Sequence, residues 1–66
     1  MTIKEGQILT ANQECKMHFD GRPTLTIGKS YEVIEMDDED FGVIDDENDT
    51  HYFPIKELKL YFTVNQ

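Results

Sequence analysis

The sequence has no tryptophan, a single cysteine and only six lysines and arginines against 14 acidic residues. A lone cysteine, Cys15, excludes an internal disulfide, so packing must hold the chain together. No stretch approaches the roughly 20 apolar residues that cross a bilayer. The opening MTIKEGQILT also lacks the basic start and apolar run of a secretory leader. A cytoplasmic location with no membrane partner is therefore expected. No window sustains apolar residues at helical spacing, which removes helix bundles from consideration. The scarcity of bases leaves a formal net charge of -8, whose field repels phosphate backbones and disfavours direct nucleic-acid binding. Catalytic constellations are missing as well. Ser30 has no neighbouring base and Cys15 no oriented partner. The carboxylates fall in loop-like segments where nothing raises a pKa into the general-acid range. Neither an enzyme nor a cofactor is expected.

What is present is enough for one core. Sixty-six residues, 38% of them hydrophobic, make one domain over residues 1–66, since a chain of this size buries only about 60% of its unfolded surface. The stability margin should be on the order of 3–5 kcal/mol. Alternation and turn chemistry predict an all-β chain. The first strand is GQILTAN, followed by a long loop from about residue 13 to 24 that includes Asp20-Gly21 and Pro23. LTIGKSYEVIEM bends at Gly28 and places Tyr31 and Val33 on one face. FGVID and THYFP form a hairpin through DENDT, where Asn48 and Asp49 tolerate positive φ. Pro54 ends that strand, IKEL suits one 3-10 turn, and KLYFTV closes as the last strand. The expected core is Leu25, Ile27, Tyr31, Val33, Val43, Phe53 and Leu58.

The pattern resembles an SH3-like barrel. The residues that carry the resemblance are GKSYEVI at 28–34, DDEDF at 37–41 and YFPIKELKL at 52–60. They are similar to that fold's turn and second strand, its acidic loop before the third strand, and its aromatic-proline-turn-strand finish. The match covers roughly residues 25–60. LTIGKSYEVI followed by IDDENDTHYFP also resembles small SH3-like proteins of bacteriophages and prophages. The resemblance implies a five-stranded barrel with a 3-10 turn before the last strand. It does not carry over the proline-peptide groove. The first strand ILTAN has no tyrosine, Phe41 stands where tryptophan is expected, and Glu57 or its neighbour replaces a tyrosine, leaving Pro54 as the match.

Charge is distributed unevenly. Residues 1–34 hold four acids and four bases, whereas residues 35–66 hold ten acids against Lys56 and Lys59, which accounts for the whole of the -8. The acids concentrate in DDED (37–40) and DDEND (45–49), at opposite ends of the third strand. Neither run has the spacing of an EF-hand loop. The reading that follows is a protein-protein interaction module docking on a basic partner surface through Asp37, Asp38, Asp40, Asp45 and Asp46. Phe41, Tyr52 and Tyr61 are the candidate exposed aromatic anchors, the alternative being that these rings complete the small core. A nucleic-acid mimic that inhibits a host nuclease or polymerase is the alternative. A third possibility is small-ligand or metal binding by the loop 15–22, where Cys15 and His18 have C-x-x-H spacing. Even with His51, however, the tetrahedron stays unfilled unless Asp20 joins, so no metal is assigned.

Overall fold

The computed structural model describes residues 3–16 and 23–65. Among the described residues there are seven strands: β1 (Ile8–Ala11), β2 (Cys15–Lys16), β3 (Pro23–Leu25), β4 (Ser30–Met36), β5 (Asp40–Ile44), β6 (Thr50–Pro54) and β7 (Phe62–Val64). A 3-10 turn at Ile55–Glu57 runs into a one-turn helix, α1 (Leu58–Tyr61). Five strands form an antiparallel sheet in the order β6-β5-β4-β1-β7, curled into a half-barrel, and β2 and β3 pair separately. Among the described residues no helix is long and apolar enough to cross a membrane.

Period-two alternation builds the core. β4 buries Tyr31 and Val33 between exposed Ser30 and Glu32, β5 buries Phe41 and Val43, and β6 buries Phe53. Leu9 and Ala11 of β1 join them, and Leu25, Leu58 and Phe62 close the same cluster. At its centre Phe53 meets Phe62 edge-on at 5.3 Å and Phe41 nearly parallel at 5.6 Å. The alternation of β4 does not run uninterrupted. Val33 pairs with Val43 but Glu35 with Gly42, so Ile34 is an extra residue in a bulge. The bulge resets the pleat: Met36 pairs with buried Phe41, and Glu35 lies on the outer face with Gly42 and Tyr52.

Three expectations need correction. The long loop is partly a hairpin, with Cys15 opposite Leu25 and Lys16 opposite Pro23. Ile27 does not reach the core and is 64% exposed. Thr26 to Lys29 close a turn, with the Lys29 N–H donating to the Thr26 carbonyl at 3.1 Å and Gly28 at φ 86°. Ile27 sits at its apex, where strand alternation no longer applies. Third, the last strand begins at Phe62 rather than Lys59. The chain continues from the 3-10 turn through α1, which ends with the Phe62 N–H donating to the Leu58 carbonyl. Four-residue helical spacing thereby turns both Leu58 and Phe62 inward, and both are buried. Asn48 takes φ 64° in the β5–β6 turn, in line with the turn expected there.

Candidate functional site

The two acidic runs do different work. In the β4–β5 loop the Asp37 carboxylate accepts the backbone N–H groups of Glu39 at 2.8 Å and Asp40 at 2.7 Å, while its own N–H donates to the Asp40 carbonyl at 3.0 Å. These backbone hydrogen bonds hold the Asp37 carboxyl below the usual carboxylate range. Asp37 therefore shapes the loop, as aspartate does in turns. Beyond it Asp38 and Glu39 are exposed, and Asp40, half-buried, opens β5. No side-chain hydrogen bond or ion pair holds these three carboxylates among the described residues.

The loop faces the end of β6. Asp40 pairs with Pro54, and the Ile55 N–H donates to the Glu39 carbonyl at 2.7 Å. Between the two segments lies an open groove of about 570 Å³, lined by Asp38, Glu39, Asp40, Pro54, Ile55 and Lys56. A recess of about 90 Å³ adjoins it, lined by Glu35, Met36, Asp37, Asp40 and Tyr52. Tyr52 is 54% exposed, and its hydroxyl donates to Glu35 at 2.9 Å, which pushes the phenol pKa up. Its ring lies across Gly42, where a Cβ would meet ring carbons at 3.0 and 3.1 Å. Glycine at position 42 thus leaves room for the ring against the sheet.

The β5–β6 turn is bound to the fold. Asp45 accepts the N–H groups of Glu47 at 2.9 Å and Asp49 at 3.1 Å, and its other carboxylate oxygen lies 3.5 Å from His51 Nδ1. Its side chain is only 6% exposed. Asp46 reaches further. Its carboxylate accepts Thr26 Oγ1–H at 2.6 Å, Lys29 Nζ–H at 2.8 Å and the Tyr31 hydroxyl at 2.8 Å. The Tyr31 oxygen in turn accepts the Thr26 N–H at 2.8 Å, and the Asp46 N–H donates to the Thr24 carbonyl at 2.8 Å. Burial opposes ionisation of Asp46, but the hydrogen bonds from Lys29, Thr26 and Tyr31 and the charge of Lys29 outweigh it and hold the carboxyl below its ordinary value. Asp46 fastens the β5–β6 turn to the β3–β4 connection.

Of the residues expected to bind a partner, Asp38, Asp40 and Tyr52 come together around the groove and recess, with Asp37 shaping their loop. Asp45 and Asp46 are drawn into the fold at the opposite end of β5. Phe41, expected as an exposed anchor, is fully buried, because the β5 residues that face inward are 41 and 43. Tyr61 is half-buried, with its ring 5.2 Å from Phe53. Glu35, Glu39, Ile55 and Lys56 also line the groove and recess and are not among the residues expected to bind a partner, and Pro54 is expected only as the match to the proline-peptide groove. Pairing Asp40 with Pro54 across the hairpin was the signal that could have found most of them. The loop expected to take a ligand or metal, residues 15–22, falls outside the described residues apart from the backbone of Cys15 and Lys16.

The arrangement defines a small all-β half-barrel whose sheet carries, at one end, a groove lined by three acids, Pro54, Ile55 and Lys56. No protein-family model, curated protein or solved structure matches the chain.

Proposed function

We propose that this protein is a non-catalytic interaction module, an SH3-like barrel of bacteriophage or prophage type acting in the cytoplasm, that docks on a basic protein surface through its Asp38–Asp40 side. The antiparallel order β6-β5-β4-β1-β7, the β2–β3 pair between β1 and β4, and a 3-10 turn ahead of the last strand support the barrel part of this reading. The observation that carries the docking part is the groove. Three carboxylates not used by the fold stand beside apolar Pro54 and Ile55, with exposed Tyr52 next to them. Opposite charge steers a basic partner in, and a desolvated apolar or aromatic contact supplies affinity that exposed ion pairs alone do not. The proline-peptide mode has no support here, because Phe41 is in the core.

A nucleic-acid mimic would need carboxylates spread at phosphate-like spacing over a surface. With Asp37, Asp45 and Asp46 committed to internal hydrogen bonds, the geometry favours docking.

The test uses tagged wild-type protein and a triple variant, Asp38→Asn, Glu39→Gln and Asp40→Asn, as baits in a lysate at low and high salt. Retained proteins are read by mass spectrometry. The docking reading expects a basic protein that is held by the wild type at low salt and lost with the variant, while circular dichroism shows the variant folded. Equal retention by both baits would sink it. Release of the partner by an oligonucleotide that competes for the same site would instead favour the mimic.

A further inference from the structure

β6 is an edge strand: among the described residues only β5 pairs with it. Sheet edges present unpaired N–H and C=O groups, and proteins commonly guard them with lysines, inward charges, bulges or prolines. β6 has little such protection. Thr50 to Pro54 include no lysine and no carboxylate, and the register with β5 is unbroken from Ile44 opposite Thr50 to Asp40 opposite Pro54. Thr, Tyr and Phe suit extended backbone. Pro54 stands only at the far end, beside the groove. The other edge, β7, is three residues long.

Carboxylates stand at both ends of this edge. Asp38, Glu39 and Asp40 lie across the β5–β6 ladder from its Pro54 end, where the Ile55 N–H donates to the Glu39 carbonyl and Lys56 shares their groove, and Asp49, exposed, immediately precedes Thr50.

We propose that the basic partner docks by adding a strand to β6, using an extended segment that carries lysines or arginines at both ends. Five positions at roughly 3.3 Å each place the two charged ends about 15 Å apart. Main-chain hydrogen bonds to β6 supply affinity, and the flanking charges fix register and exclude acidic segments. The proposal rests on the docking reading and adds the shape and charge spacing of what docks.

The test is an NMR titration of isotopically labelled protein with Ac-Lys-Lys-Thr-Val-Thr-Val-Lys-Lys-NH2. A second peptide is identical but N-methylated at alternate central residues, with both alternations made. A third has aspartate in place of every lysine. The parent peptide is expected to bind and to slow hydrogen exchange of β6 amides. One N-methylation pattern should weaken binding at least tenfold with charge unchanged, and the aspartate peptide should not bind. Equal binding by the parent and both N-methylated peptides, with β6 exchange unaltered, would overturn strand addition while leaving side-chain docking intact. If no lysine peptide binds, or the aspartate peptide binds equally well, the docking reading falls with it. Protection of β6 amides that grows with protein concentration and no peptide would mean that a second copy occupies the edge, which also overturns the proposal.

Discussion

Replacing Asp46 with alanine would strand three donors at once. Thr26, Lys29 and Tyr31 lose their common acceptor, and the Tyr31 oxygen is also what satisfies the Thr26 N–H. The Asp46 side chain is only 14% exposed, but Thr26 and Lys29 are exposed and water can take over their bonds, so the loss falls mainly on the part-buried Tyr31 hydroxyl. The expected cost is about 1–3 kcal/mol, the range for leaving one buried polar group, here the Tyr31 hydroxyl, without its partner. The Lys29 ammonium is largely exposed, and its ion pair adds only a small part of that. The cost should depend on pH. Because the folded protein holds the Asp46 carboxyl below its ordinary value, the unfolded chain binds this proton more readily. The carboxylate's contribution is therefore complete above the ordinary aspartate pKa and is lost as pH falls through the depressed folded value. Urea unfolding of wild type and Asp46→Ala should show a wide stability gap at pH 7 that narrows toward pH 3. A gap of equal size at both would mean that the hydrogen bonds act without the charge.

Strands β4, β5 and β6 carry the core, and Phe53 is where they meet α1 and β7. Its ring contacts those of Phe41, Phe62, Tyr61 and His51. Phe53→Ala should cost about 3–5 kcal/mol, the usual price of truncating a buried phenylalanine. That equals the whole margin expected of so small a domain, about 3–5 kcal/mol, so circular dichroism should find the variant largely unfolded at 25 °C. Tyr52→Ala, one position along on the outer face, should stay folded. A folded Phe53→Ala protein would place the core elsewhere. The inward set Tyr31, Val33, Val43 and Phe53 was legible from alternation because residues two apart in a strand share a face. The bulge at Ile34 was not, since one inserted residue leaves the composition of a strand unchanged and only the partner strand reveals it. Leu58 and Phe62 were separated by reading KLYFTV as a strand, because a four-residue helix is too short to show periodicity. In the site, the acids could be counted from the sequence, but their division into loop-forming and outward-facing ones depends on hydrogen bonds to backbone groups brought together by folding.

Over the whole molecule the charge is -8, and like charges this dense oppose the compact state. The acids differ in how they bear that cost. Asp37, Asp45 and Asp46 offset it by accepting hydrogen bonds, whereas Asp38, Glu39 and Asp40 have no such return and mainly repel their neighbours. The two sets should respond to neutralisation in opposite ways. Asp38→Asn, Glu39→Gln and Asp40→Asn together should raise Tm, because removing even about 0.5 kcal/mol of repulsion moves a domain of this size by roughly 2–4 °C. Asp45→Asn or Asp46→Asn should lower it despite the same change in sign. Salt gives an independent check, since its screening length falls from about 10 Å at 0.1 M to about 3 Å at 1 M. Wild-type Tm should climb between these concentrations, and the triple variant should climb less, having less repulsion left to screen. If the triple variant instead melts below the wild type at both salts, these carboxylates stabilise the fold, and their surplus could no longer be attributed to a partner.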